Sequence, residues 1–349
     1  MIPVRPRPLP DELLSSWIIR ASFANGTDPI GLAGSIWGEW RAWTVDFDRH
    51  LAPERLAAFA RATGFDTETV LSMTLEPEIR SVNDGELPPI LKAWRHVVPI
   101  GARNRTRTNG LHYCPRCLAE SPVFFRKKWR FSWHTVCDGH GTMLEYGCPA
   151  CGMPFSPHLA DYLSRDTGRC PRCGADLRGD GRNVSDPDVL PLQRDMDATL
   201  KKGRGGDIEL FRFAADCAVL ARNAGRDRKL VGPVSETFGL PGVGYAANGR
   251  GYSTFDAAPV EQRHIYWGMA ARMVRAGAET VAEILAENGT TRKKLDEYCP
   301  LESAAMREIR DLLPGSGRAE RKTCTRKVEA GPKTPEEVER AMDAVRRFL

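Results

Sequence analysis

The spacing of apolar side chains predicts a helix at the start of the chain. Between residues 9 and 26, Leu13, Leu14, Trp17, Ile18 and Ala21 fall on one face, Asp11 and Glu12 stand where a helix N-terminus favours acids, and Asn25-Gly26 supplies a stop. Residues 53 to 75 predict two more helices. The first, from Pro53 through Leu56, Phe59 and Ala60, ends at Gly64, and the second carries Val70, Leu71 and Met73. The spacing Ala60-x3-Gly64-x5-Val70-x2-Met73 is that of a helix-turn-helix. Its second helix offers Thr67, Glu68, Thr69, Ser72 and Thr74 outward and no Lys or Arg, which suits a protein contact or a structural role as well as DNA.

Further along, Trp129, Phe131 and Trp133 alternate with Arg130, Ser132 and His134, the pattern of a half-buried strand. Residues 208–222 and 261–276 predict helices, with Cys217 as a small core residue of the first and Ile265, Met269 and Met273 as an apolar stripe on the second. The glycine-rich stretch 232–251 predicts a loop. A second helix-turn-helix pattern, Leu285-x3-Gly289-x5-Leu295-x2-Tyr298, has Arg292, Lys293 and Lys294 at the start of its second helix, where side chains can meet phosphate or base edges; an ordinary helix pair with a solvated charged face reads the same way. Thr334-Pro-Glu-Glu337 is a capping box ahead of a last amphipathic helix.

Composition adds bounds. A chain of 349 residues is long for one core and suggests two or three domains at about 150 residues each. Turn-rich stretches near 88–110 and 178–188 place the boundaries, giving an N-terminal helical domain 1–100, a middle domain 101–180 and a C-terminal helical domain 181–349. No apolar run approaches the roughly 20 residues that cross a bilayer, and the first ten residues lack the apolar core of a secretory signal, so the expectation is a soluble cytoplasmic protein with no membrane contact. The sequence contains no Walker motif, dinucleotide loop, nucleophile elbow or His-Glu-x-x-His helix, which disfavours an enzyme.

The candidate chemistry is concentrated in the middle. Cys114-Pro-Arg-Cys117, Cys137-Asp-Gly-His140, Cys148-Pro-Ala-Cys151 and Cys170-Pro-Arg-Cys173 each bring two ligands together across a tight turn, and in a reduced compartment such pairs read as metal sites. Sequential pairing gives one zinc on Cys114, Cys117, Cys137 and His140 and a second on Cys148, Cys151, Cys170 and Cys173; a cross-braced pairing satisfies the same spacing. Four protein ligands leave no open position, so both sites are structural. Gly139, Gly152 and Gly174 beside the ligands fit strained turns, whereas His112, His134 and His158 flank the sites and each could stand in for His140. Cys299 and Cys324 are isolated. The expected fold is mainly α and multidomain, with two tandem zinc-ribbon-like modules carrying short β-hairpins between helical regions.

Charge is uneven. The formal net charge is +5, yet Arg103, Arg105, Arg107, Arg116, Arg126, Lys127, Lys128 and Arg130 face only Glu120 between residues 103 and 134, leaving the remainder slightly acidic. Such a stripe suits a polyanion such as nucleic acid, or simply a solvated face.

The order of these elements resembles the TniQ family of transposition proteins, which includes TnsD. The resemblance rests on Asp11-Glu-Leu-Leu-Ser-Ser-Trp17-Ile-Ile-Arg20, Tyr113-Cys-Pro-Arg-Cys117, Trp129-Arg-Phe131, Thr135-Val-Cys-Asp-Gly-His140 and Cys148-Pro-Ala-Cys-Gly152, and covers about residues 9 to 155. It implies a target-selection factor, not a transposase. Family members link a target-recognising component to an AAA+ ATPase of the TniB/TnsC kind. That component is a DNA site bound directly by TnsD-like members, or an RNA-guided Cascade-type complex on which a shorter TniQ docks, in some systems as a homodimer. The resemblance therefore implies an adaptor in this chain, with a sequence-specific DNA-binding protein as the alternative.

Overall fold

The computed structural model describes residues 1–89, 94–100, 110–160, 162–163, 165–201, 208–225, 231–239 and 254–315. Met1–Pro314 form one compact unit. The capping box at 334–337, the helix after it and Cys324 lie outside the described residues.

Helix α1 (Leu14–Ala24) is buried all round, beyond the single apolar face expected of it. Leu14, Trp17, Ile18 and Ala21 join a core with Trp37, Phe47 and Phe59, while Leu13 and Ile19 join the larger core that runs through the rest of the unit. Its serines are tolerated there because they are bonded: Ser15 donates through N and Oγ to Asp48, and Ser16 Oγ accepts from Phe125 N at 2.8 Å. The helix starts later than the acids suggest. Asp11 takes a left-handed conformation at φ 62, and the Glu12 carboxylate is taken by Arg20 at 2.7 Å.

Helices α2 (Pro29–Trp37), α3 (Pro53–Thr63), α4 (Thr67–Ser72) and α5 (Glu76–Val82) complete the N-terminal region. Helix α3 ends where glycine was expected to end it, at Gly64 with φ 75, and Asp66 caps α4 by accepting from Thr69 N at 2.6 Å. Thr74, read as outward-facing, is buried and bonds Leu71 O instead.

Helix α6 (Pro115–Leu118) opens the cysteine region, where the described residues pair through isolated bridges and no longer ladder. The half-buried strand expected at 129–134 is corrected. Lys127–Arg130 form a 3-10 turn, and both sets of alternating side chains are buried, because the segment runs between the N-terminal helices and the C-terminal ones. Several of its polar groups are met by the C-terminal helices. Arg263 and Trp267 donate to Ser132 O, Gln193 Oε1 accepts from Thr135 N and Val136 N, and Trp133 Nε1 donates to Asp197.

The C-terminal part contains α7 (Val189–Lys201), α8 (Glu209–Ala224), α9 (Val231–Phe238), α10 (Val260–Glu287), α11 (Arg292–Tyr298) and α12 (Ala304–Leu312). Helix α9 occupies the beginning of the stretch expected to be loop; the part beyond Gly239 is outside the described residues. Ala214, Ala218 and Ala221 of α8 let α10 approach closely, with Trp267, Met269 and Met273 buried in return. Helix α10 breaks at Gly277, where φ 83 and ψ 166 are open to glycine and unfavourable for other residues.

Candidate metal centres

Three of the four ligand pairs share one backbone design. In Cys137–Gly141, Cys148–Gly152 and Cys170–Gly174, the N–H of the fifth residue donates to the carbonyl of the first at 2.8, 2.8 and 2.9 Å. The first cysteine's N–H then donates to the residue five further on: Thr142, Met153 and Ala175. The fifth residue is a glycine with positive φ each time, at 63, 69 and 74. Gly141 therefore fills the position that sequence reading gave to Gly139. It is the residue after the second ligand, not the one before it, that must turn left-handed to close the loop. A single bridge closes each turn from behind, Val136 with Met143, Gly147 with Pro154 and Arg169 with Asp176. The remaining pair is built differently: Cys114 precedes α6 and Cys117 lies within it.

These turns bring the ligands together in sequential order. Cys114, Cys117, Cys137 and His140 form one cluster and Cys148, Cys151, Cys170 and Cys173 another, each with its ligand atoms within 4.8 Å of one another. Sequential pairing replaces the cross-braced alternative. A tetrahedral zinc with Zn–S near 2.3 Å and Zn–N near 2.0 Å requires donor separations of about 3.5 to 3.8 Å. Cys117 and Cys137 Sγ are 3.6 Å apart, Cys148 and Cys173 3.6 Å, and Cys151 and Cys170 3.7 Å. His140 faces the thiols through Nδ1, 3.6 Å from Cys114 and Cys137 and 3.3 Å from Cys117. Its Nε2 lies 3.0 Å from Glu120 Oε1, so the carboxylate can hold the ring with Nδ1 free to ligate. Hydrogen bonds from Cys117 and Cys137 pull the Cys114 thiol far down, while bonds to Cys114 and Cys137 push Cys117 up. A cation removes that conflict by stabilising every thiolate. Both donor sets fit a metal ion.

The other histidines are engaged elsewhere. His112 Nδ1 takes a bond from Arg263 at 3.2 Å, His134 Nε2 faces Asp197 at 2.9 Å, and the His158 ring lies 6.0 Å from that of Trp43. Cys217 is buried in α8, and the nearby Cys299 donates to Asp216 O.

Among the described residues, the basic side chains at 126–130 are engaged within the molecule. Arg130 is 1% exposed and its guanidinium bonds Asp46, Asp48 and Val98 O. Lys127 pairs with Glu78 and Ser72 O, and Lys128 with Asp138. Arg126 lies over the rings of Phe124 and Trp129. Arg292 closes the end of α12 through Asp311 O and Leu313 O, Lys293 is exposed, and Lys294 sits 6.0 Å from the Tyr298 ring. Arg103, Arg105 and Arg107 lie outside the described residues. Sequence reading missed the acids that meet these cations, Asp46, Asp48, Glu78 and Asp138, since each is distant in sequence or unremarkable in local pattern.

The family model for TniQ matches residues 3–144. Over this stretch the chain is similar to the TniQ family. The TniQ region contains α1 to α6 and the whole first cluster, and ends before Cys148, the first cysteine of the second. Proteins of that family have a role in transposition target selection. No curated protein matches the chain significantly. No helix among the described residues is long and apolar enough to cross a membrane.

Proposed function

We propose that this chain is a non-catalytic adaptor of transposition target selection, connecting a target-recognition element to a TniB/TnsC-like ATPase and through it to a transposase. The observation that carries this reading is the inward use of the cations at 127–130. Residues suited to phosphate join the TniQ region's helices to its metal cluster, which favours a rigid protein-binding scaffold over a groove-reading surface. Each cluster holds one structural zinc ion through its four residues. Bound zinc supplies cross-links between turns; the chain supplies the backbone N–H groups, the Glu120 carboxylate and the hydrophobic walls that orient the donors.

Two measurements test the reading. Size-exclusion chromatography of the full-length protein with the ATPase and a non-hydrolysable nucleotide is expected to give a stable complex, and its absence counts against the adaptor. Specific DNA binding that persists at physiological salt, with affinity falling linearly against log salt, favours the DNA-reading alternative instead.

A further inference from the structure

Cys114 precedes α6, lies outside the three glycine-closed turns and is fully buried. Water therefore does not reach its sulfur. A metal-bound cysteine is a thiolate, and three thiolates with a neutral imidazole around a dication leave the first cluster one net negative charge. A buried thiolate carrying part of that charge needs a hydrogen-bond donor from the chain.

The structure supplies one. Thr142 Oγ1 lies 3.4 Å from Cys114 Sγ, and both residues are buried. Because a thiolate has no proton to give, the hydroxyl is the donor of that pair once a metal is bound.

The position of Thr142 is fixed from two sides. Its carbonyl accepts from Cys137 N at 2.7 Å, which ties it to the turn carrying the third ligand. On its other edge it pairs with Asn183, and Met143 N donates to Arg182 O at 2.9 Å. Gly181, with φ 74, comes so close that a Cβ there would stand 3.1, 3.2 and 3.3 Å from Thr142 Cβ, Oγ1 and Cγ2. That contact leaves the β-branched side chain little freedom to rotate. Arg182 anchors the approach through bonds to both Glu145 carboxylate oxygens at 2.5 and 2.9 Å. Residues 181–183 thus follow the second cluster along the chain and reach back to the first.

We propose that Thr142 is a positioning residue of the first metal centre, its hydroxyl donating to the Cys114 thiolate while residues 181–183 hold it in that orientation. The inference rests on the reading that Cys114, Cys117, Cys137 and His140 hold a metal, and it adds a contributor that is not itself a ligand. Thr142→Val keeps the shape of the side chain and removes the donor; Thr142→Ser keeps the donor and loses only the methyl group.

Cobalt-substituted full-length protein tests this, because the sulfur-to-cobalt charge-transfer band reports electron density on the thiolates. Wild-type protein and the two variants are compared by absorption spectrum and by chelator competition for the bound metal. Thr142→Val is expected to bind two ions per chain, one of them about tenfold more weakly, with charge-transfer intensity moved to longer wavelength; outer partners of metal ligands are worth about 10–100-fold in affinity. Thr142→Ser is expected to restore both properties. A lower melting temperature with an unmoved band shows a packing role and overturns the inference, as does failure of Thr142→Ser to restore the band. Two ions bound by Thr142→Val with unchanged affinity and spectrum overturn this inference alone, whereas wild-type protein that binds no metal through Cys114, Cys117, Cys137 and His140 overturns the metal reading with it.

Discussion

The two cysteine clusters share a turn design and differ in everything around it. In the first, Cys114, Cys117 and Cys137 are buried, and the loop between Cys117 and Cys137 carries Arg130 and the aromatic segment on which both halves of the unit rest. In the second, Cys173 is exposed, and the loop between Cys151 and Cys170 leaves Leu159 51% and Leu163 86% exposed. The contrast teaches that equal local chemistry need not carry equal structural weight. A metal at the first cluster would tie down the centre of the unit, and one at the second would hold a loop that is buried at Phe155, His158 and Ala160 but exposed at Leu159 and Leu163.

That contrast can be broken by removing ligands. Cys137→Ser is expected to have the largest effect, losing one zinc and the cooperative unfolding transition itself, because metal binding in such sites is worth about 10 kcal/mol or more. Metal analysis with circular dichroism on heating checks both. Arg130→Met should come next, at about 3–5 kcal/mol in denaturant unfolding, since it strands Asp46 and Asp48 in the interior beside an uncharged side chain. Cys173→Ser should also cost one zinc but lower global stability by only about 2 kcal/mol, its unfolding remaining local. A loss as large as that of Cys137→Ser would erase the distinction between the clusters.

The smallest effect sharpens the role of the buried ion group. Burial pushes the Asp48 carboxyl from 3.8 to about 7, opposed by Arg130 and reinforced by Asp46. Its folded value lies above its unfolded one, so its contribution is full below about pH 4 and lost as pH rises to about 7. Stability of the zinc-saturated protein measured between pH 5 and 7 should therefore carry a downward component with rising pH that Asp48→Asn removes. An unchanged slope in that variant would assign the ion group no proton linkage.

How much of this was legible beforehand depends on the range of the interaction. The clustered cysteine pairs were readable because a two-residue spacing inside a tight turn is a local property, and Gly152 and Gly174 show how local. Helix α3 and its stop at Gly64 were readable for the same reason, as was the end of the helix expected over 261–276, just ahead of the break at Gly277. The alternation at 129–134 misled, because period-two patterning signals a half-buried strand only when one side of the segment faces water. Here Asp46 and Asp48 come from one side and Arg263 and Trp267 from the other.

The sequence by itself determined the four candidate ligand pairs, several helix ends and the resemblance to TniQ, since each is encoded in residues near one another along the chain. Only the tertiary structure decided which ligand pairs share a cluster and which cations are spent inside the molecule. Those outcomes depend on groups tens to more than a hundred residues apart, such as Arg130 with Asp46 and Thr135 with His264, whose meeting is set by how helices pack and not by any local pattern.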